Sequence, residues 1–583
     1  MLKKTIIIIG AVALASSCAK SKDADSPEAK SQTRMAYGDQ SMSAGEAGRK
    51  SADYAASPSP KKPAPATSGR VLYMSARRVR RSGLQGLSTR GGPAGRRGSR
   101  AYIRPGRRPP VIVKKNTEQY TSYGINPFVS SLVDARSTFA IDVDTASYAI
   151  CRRKLRSGQR PPTSAVRVEE FVNYFNYGYK GPANQPFLVH IDGAPSPFER
   201  GRHFLRIGIQ GKHLTKASRK PVHLTFLVDT SGSMHSADKL PLAKRSMRIL
   251  INQLKKGDTV AIATYAGDVR QVLAPTGIEG RARIEDAIYA LTSGGGTAMN
   301  DGMKVAYQMA SKSFVKGHVN RVIVLSDGDA NIGRTGWRPM LAQIRKYADR
   351  GITLSTIGFG MGNYKDTRME KLANKGNGNY YYVDGLNEAR KIFGKQVTGT
   401  LQVIAKDVKV QVVFNPALVA KHRLVGYENR KLAHRDFAND KVDAGELGAG
   451  HTVTALYEIV LRKSPQRIPA GKAQAAAFRG KAGMLALVRL RHKAPQTAKG
   501  AKSQLIEGYF PKRLLADSVT KADKSFRLAL AVAAFGEKLR GSPHAKEWTL
   551  IGIAQLAEKG IDSKDPAQAE FLKLVQKAKT IGI

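Results

Sequence analysis

Between residues 222 and 383, short β-branched runs alternate with longer stretches of helical period, and this alternation restricts the fold more than any other feature of the chain. Residues 222–228, 259–265, 321–325, 352–357 and 380–383 read as strands. Between them, 239–254 carries apolar side chains at helical spacing (Leu240, Ala243, Met247, Leu250, Ile251, Leu254). Further helices are expected around 281–292, 297–314, 337–350 and 366–375. Such alternation predicts an α/β, doubly wound, mainly parallel sheet with helices on both faces. Sheets of this kind bind ligands beyond the carboxyl ends of their strands, at the point where the strand order reverses.

Three oxygen-bearing segments fall at such ends. The first strand runs into Asp229-Thr230-Ser231-Gly232-Ser233-Met234, with a carboxylate and two hydroxyls at every second position of a tight loop. Thr297 follows Gly294-Gly295-Gly296 at a helix start, and Asp327 follows the strand at 321–325. Together they offer only hard oxygen donors with two formal charges. That set favours Mg2+ or Mn2+, with water and an external oxygen completing an octahedron. Asp229, Ser231, Ser233, Thr297 and Asp327 match, in order and approximate spacing, the metal-ion-dependent adhesion site of the von Willebrand factor type A (vWA) domain, which residues 218–399 resemble. The resemblance implies a cation that binds a carboxylate from a protein partner. Hydroxyl ligands leave the cation under-neutralised, so an incoming Asp or Glu completes both charge and geometry.

The likeness extends over residues 126–583, which resemble a bacterial family of lipoproteins carrying a vWA domain between two family-specific regions. It rests on Ile141-Asp142-Val143-Asp144-Thr145-Ala146-Ser147-Tyr148, Gly358-Phe359-Gly360-Met361-Gly362-Asn363, Gly426-Tyr427-Glu428-Asn429-Arg430 and Gly450-His451-Thr452-Val453-Thr454. Strand-like alternation at 187–191 and 204–209 precedes the vWA segment, and 408–414, 453–460 and 484–490 follow it. Because the ends of an inserted domain lie close together, residues 116–217 and 400–583 are expected to share one β-sandwich into which the vWA domain is inserted. Residues 525–580 read as helices packed on that sandwich, with Phe526, Ala529, Leu530 and Ala533 on one face and Phe571, Leu574 and Val575 on another. Asp142 and Asp144 share a strand face without a third oxygen in register, and read as a structural strand end and helix cap. The eleven histidines form no His-Glu-x-x-His motif. Ser236-Ala237-Asp238-Lys239 matches Ser-x-x-Lys without its acyltransferase companions, and is read as a cap for the helix that follows.

The amino end reads as a targeting segment. Met1-Leu2-Lys3-Lys4 is a basic start, 5–14 is an apolar run too short to span a bilayer comfortably, and Ala15-Ser16-Ser17 leads to Cys18. This resembles a bacterial lipoprotein signal over residues 1–17, with Ala15 where Leu usually stands, and implies that Cys18 carries the lipid. Ala19 lacks the inner-membrane retention of an Asp, which favours the outer membrane. An ordinary secretory peptide is the alternative. Two cysteines in the whole chain exclude a disulfide-stapled scaffold and a Cys-rich zinc cluster. Residues 18–115 read as a low-complexity tether; within it, 66–115 holds fourteen Lys and Arg and no Asp or Glu, broken by Gly, Pro and Ser. This tether accounts for part of a formal net charge of +51. A basic, exported chain suits anionic surfaces such as lipid headgroups, and disfavours nucleic acid as a partner.

The expectation is therefore a non-enzymatic, lipid-anchored, metal-dependent binding protein of the bacterial cell envelope, gripping an acidic residue of a partner. Anionic-polymer or nucleic-acid binding through the arginine-rich segment is the alternative, and predicts steep salt dependence without a metal requirement. A hydrolase using the metal to activate water ranks third, since no candidate base has helpful spacing.

Overall fold

The computed structural model describes residues 6–8, 117–141, 143–215, 217–296, 298–328, 336–467, 476–495, 497 and 501–583. Cys18, the basic segment 66–115, Asp142 and Thr297 lie outside them. The central sheet has the spatial order Tyr380–Val383, Ile352–Phe359, Val319–Ser326, Val222–Asp229, Thr259–Tyr265, Val269–Gly277. All neighbours are parallel except the last strand, which returns antiparallel along Thr259–Tyr265. Every residue of Val222–Asp229 is buried, as expected of a strand covered on both faces. Leu224, Phe226 and Val228 join one core with Leu240, Ala243, Met247 and Leu250 of the helix Leu240–Ile251. Leu227 faces the opposite core with Met299, Met303 and Ala306 of the helix Met299–Lys312. The chain winds first to one side of Val222–Asp229 and then to the other. The order therefore reverses between that strand and Val319–Ser326.

The flanks make one sandwich, as expected. Its first sheet has the order Ile6–Ile8, Phe187–Pro195, Arg202–Gly211, Thr452–Leu461, Val419–Val425, Val129–Ser130, and is antiparallel throughout. Arg202–Gly211, from before the vWA domain, pairs directly with Thr452–Leu461 from after it, Ile207 opposite Ala455. Ile6–Ile8, within the expected leader, lies at the sheet's edge against Phe187–Pro195. The second sheet joins Gly445–Gly448, Val403–Phe414, Met484–Lys493 and Gln504–Pro511, with Arg136–Ala140 also paired to Val403–Phe414. Val189, Ile191, Ile207 and Ile209 of the first sheet share a core with Val410, Val412, Val488 and Leu490 of the second. The vWA domain is thus an insertion between strands of a single β body.

Helices Ala146–Arg156, Val168–Asn173, Lys524–Leu539, Leu550–Glu558 and Pro566–Thr580 form a further layer, where Phe526, Leu530, Phe535 and Phe571 pack with Phe204 and Leu456 of the first sheet. Local chemistry starts the C-terminal helices. Asp523 accepts a hydrogen bond from the Ser525 backbone N–H, and Asp565 caps Ala567 and Gln568 ahead of Pro566 at the first turn. Asp144 corrects the expected cap. It accepts from the Tyr380 backbone N–H at 2.9 Å and from Arg430 at 3.0 Å, so it ties the flank to the last parallel strand. The helix Ala146–Arg156 instead begins at Thr145 without a side-chain cap. Cys151 is a buried free thiol, and no helix among the described residues is long and apolar enough to cross a membrane.

One consequence of this burial is acid sensitivity. His422 is 2% exposed, its ring stacks on Phe414 with centroids 4.4 Å apart, and its Nδ1 lies 3.2 Å from Ser131 Oγ. Burial pushes its pKa down to about 4, against about 6.5 in the unfolded chain. Between these values the unfolded chain binds the extra proton, so stability falls as pH falls. This residue alone is expected to cost about 2 kcal/mol between pH 6.5 and pH 5. Urea unfolding across that range should show a shallower pH slope in His422→Phe.

Candidate metal centre

The strand-order reversal places two carboxylates side by side. Asp229 ends Val222–Asp229, and Asp327 follows Val319–Ser326, the neighbouring strand; both are fully buried. The loop after Asp229 folds back on it. The Ser231 backbone N–H donates to Asp229 Oδ1 at 3.0 Å and the Ser231 hydroxyl to the same oxygen at 2.6 Å, the self-bonding turn that Asp favours. Ser231 Oγ lies 3.1 Å from Ser233 Oγ, and Ser233 Oγ donates to Asp327 Oδ2 at 2.6 Å. Four of the five expected ligands therefore form one continuous chain of oxygens from carboxylate to carboxylate. The loop ending at Gly296 is tied to this turn, since Gly294 N–H donates to Thr230 O at 2.8 Å and Gly232 N–H to Gly295 O at 3.2 Å. Gly295 has φ +81°, and a Cβ there would stand 2.9 Å from the Gly267 nitrogen, so only glycine allows this approach. Thr297 itself falls outside the described residues.

Four further side chains complete the centre, and the sequence did not announce them. Tyr265 OH and Ser326 Oγ donate to Asp229 Oδ2 at 3.1 and 2.8 Å. Asn363 Nδ2 donates to Asp327 Oδ2 at 3.0 Å. Lys239, expected within a helix cap, sends its ammonium into the centre instead. Its Nζ donates at 2.9 Å to each of Asp327 Oδ2, Ser233 O and Asn363 Oδ1. Ser236 donates to Asp238 rather than to the helix, and Leu240–Ile251 starts without a side-chain cap. Gly360 makes room for this arrangement: φ is +75°, and a Cβ would collide with the Lys239 methylenes. The usable signals were positional. Tyr265 and Ser326 end the two strands that border Val222–Asp229, and Asn363 lies in the glycine-rich turn after Ile352–Phe359.

The electrostatics separate the two acids. Burial, then the charge of Asp327, pushes the Asp229 carboxyl up to about 6 despite its hydrogen bonds. Burial also opposes ionisation of Asp327, but the Lys239 charge and the bonds from Ser233, Lys239 and Asn363 outweigh it and hold that carboxyl below the usual range. Two carboxylates thus face one ammonium. The donor set fits a small divalent cation. Ligand oxygens about 2.1 Å from Mg2+ stand about 3 Å from their octahedral neighbours, close to the 2.6, 3.1 and 2.6 Å steps along the chain. Among the described residues no group of three or more His, Cys, Asp or Glu could hold a metal; here hydroxyls supply the remaining donors.

The flank reaches the same corner. The Gly362 backbone N–H donates to Glu118 Oε1 at 2.9 Å, Lys154 binds Glu118 Oε2 at 2.6 Å, and Arg153 pairs with Asp238 at 2.5 Å. The loop carrying Asn363 and the turn carrying Asp238 are both clamped by residues that precede the vWA domain.

Comparison with known proteins agrees with this architecture. Residues 223–395 match the family model "von Willebrand factor type A domain", residues 114–206 match "von Willebrand factor", and residues 399–581 match "Uncharacterized protein YfbK, C-terminal". YfbK of Escherichia coli (strain K12) is 38% identical over 480 residues, which cover 80% of this chain and 82% of that protein. The chain belongs to the YfbK family. Its three matched regions are the N-terminal flank, the inserted vWA domain and the C-terminal YfbK region. A shorter similarity, 27% over 201 residues, relates this YfbK-family chain to protein sll0103 of Synechocystis sp., covering 34% of this chain and 46% of that one. Among solved structures, von Willebrand factor type A from Catenulispora acidiphila aligns at 16% identity and TM-score 0.40, over 69% of this chain and 91% of that one.

Proposed function

We propose that this YfbK-family protein is a metal-dependent binding protein of the bacterial cell envelope. Asp229, Ser231, Ser233 and Asp327, with Thr297, would hold Mg2+ or Mn2+, and the bound cation would supply a Lewis-acidic contact for an Asp or Glu side chain of a protein partner. The reading is carried by the chain of four oxygens that joins two buried carboxylates, opposite a single ammonium. Within it, Ser231 and Ser233 space the acids, Lys239 and Asn363 hold Asp327 in place, and Tyr265 and Ser326 orient Asp229. Binding rather than catalysis is favoured because the Lys239 ammonium is taken up by Asp327, Ser233 and Asn363 and the oxygens of the centre would serve as ligands. A lipid on Cys18 would anchor the chain, with the outer membrane the favoured site, and the basic 66–115 segment would lie along anionic headgroups.

A pull-down from solubilised envelopes, run with Mg2+ and with EDTA, tests the proposal. A partner retained in Mg2+, released by EDTA and lost in Asp229→Asn is the expected result. Retention unchanged in EDTA would reject it. Retention that instead depends on residues 66–115 and falls steeply with salt would favour the anionic-polymer reading.

A further inference from the structure

At the opposite end of the parallel sheet from the metal centre, a cavity of about 1010 Å³ lies between the vWA domain and the second sandwich sheet. Arg321 forms part of its wall and is 2% exposed. Its Nε donates to Thr353 Oγ1 at 3.1 Å, and its Nη1 to Ser355 Oγ at 2.9 Å and Thr400 O at 2.6 Å. Those three acceptors fix the guanidinium plane and leave Nη2 for another ligand. No carboxylate among the described residues lies within ion-pair distance of it. A buried cation without a counter-charge is costly, and here burial depresses the Arg321 pKa. The acid whose charge acts on Arg321 is Glu446, also on the cavity wall; its carboxyl is pushed up to about 8 by burial, against the pull of Arg321 and with Asp443 and Asp407 adding to the rise. So raised, Glu446 matches the Arg321 charge only in part at neutral pH.

The rest of the wall is mixed. Of its aspartates, Asp349 and Asp443 are paired with Arg345 and Asp407 with Lys493, and Asp440 also lines it. Lys212 and Lys220 line it as well, and among the described residues no ion pair is found for their ammoniums. Leu214, Phe314 and Ile404 supply an apolar side. The size falls at the upper end of the range for small-molecule sites. Guanidinium planes held by neutral acceptors match the paired oxygens of phosphate and carboxylate.

We infer that this cavity binds a small organic anion, its phosphate or carboxylate seated on Arg321 beside Lys220 and its apolar part against Phe314 and Leu214. The site is separate from the metal centre, and the chemistry is anion recognition without any bond made or broken.

Calorimetric titration of the full chain in EDTA, so that the metal centre takes no anion, tests this with phenyl phosphate, benzoate and phenol. One site for phenyl phosphate, benzoate or both is expected, and the responding anion identifies the headgroup class. Arg321→Lys should weaken binding at least about tenfold, the worth of one charge-assisted hydrogen bond, and Lys220→Ala should weaken it several-fold. Should Arg321→Lys fail to fold, Lys220→Ala, on the cavity wall, still decides. The proposal falls if neither anion binds, if phenol binds as tightly as phenyl phosphate, or if the folded variants bind like the unaltered chain.

Discussion

Glu458→Ala is expected to lower the stability of the sandwich body by about 3–5 kcal/mol, the cost of breaking a buried ion pair by removing one partner. Arg423 and Glu458 have no exposed side-chain surface. Arg423 Nη2 and Nε reach Glu458 Oε2 at 2.7 and 3.1 Å, and Nη1 reaches Glu537 Oε2 at 3.1 Å. Arg202 binds the other Glu458 oxygen at 2.8 Å. Glu537 bonds in turn to Arg540, which reaches Glu428 at 3.0 Å. The members come from Arg202–Gly211 before the vWA domain, Val419–Val425, the turn Glu428–Arg430 and Thr452–Leu461 after it, and the helix Lys524–Leu539 with its C-cap Arg540. Removing Glu458 leaves the fully buried Arg423 with Glu537 as its one carboxylate and takes a partner from Arg202, at the seam where the flanks meet. Glu458→Gln keeps the shape and one acceptor and should cost less. Replacing Arg423 and Glu458 together by leucine should cost less than the sum of the single changes, because no orphaned charge remains at that pair. Urea unfolding followed by near-UV circular dichroism would show the ranking. A Glu458→Ala loss below about 1 kcal/mol, the scale of a surface pair, would mean that the network contributes little.

That network also explains where the sequence was hard to read. Strands buried on both faces are continuous apolar runs, so 222–228, 259–265 and 380–383 are visible directly. Val419–Val425 is not, because Lys421, His422 and Arg423 interrupt the alternation, and only the tertiary partners Glu458 and Glu537 make a charge tolerable there. Val269–Gly277 was missed for the opposite reason: it is an edge strand, mostly half-buried or exposed and carrying Pro275, with little apolar pattern to betray it. The insertion was legible because strand-like segments lay on both sides of a complete α/β unit. At the candidate centre, Asp229, Ser231, Ser233 and Asp327 could be picked out because a local motif and two strand ends carry them. Lys239 could not. Its backbone sits where a cap would, and its role depends on a turn more than 120 residues away, where Gly360 clears its path and Asn363 meets its ammonium.

Asp229→Asn is expected to have the opposite profile to the Glu458 variants, with the fold retained and the cation lost. Asparagine preserves the volume and an acceptor for the Ser231 N–H and hydroxyl, while Tyr265 and Ser326 can rotate their hydroxyls to suit the amide. It also removes a buried charge that stands beside Asp327, so metal-free stability should be unchanged or higher. Metal affinity should fall more than about 100-fold, because even the outer partners of a metal ligand are worth about 10–100-fold, and this change removes one of only two anionic donors. The unaltered chain in Mg2+ at a hundred times its Kd should gain about 2.7 kcal/mol, seen as a higher Tm that EDTA reverses. The same Mg2+ should leave the Tm of Asp229→Asn in place. Asp327→Asn should likewise lose the Mg2+ effect, but with a lower metal-free Tm, since the Lys239 ammonium then faces no carboxylate across its 2.9 Å contact. Equal Mg2+ shifts in all three chains would place the cation elsewhere and separate the oxygen cluster from metal binding altogether.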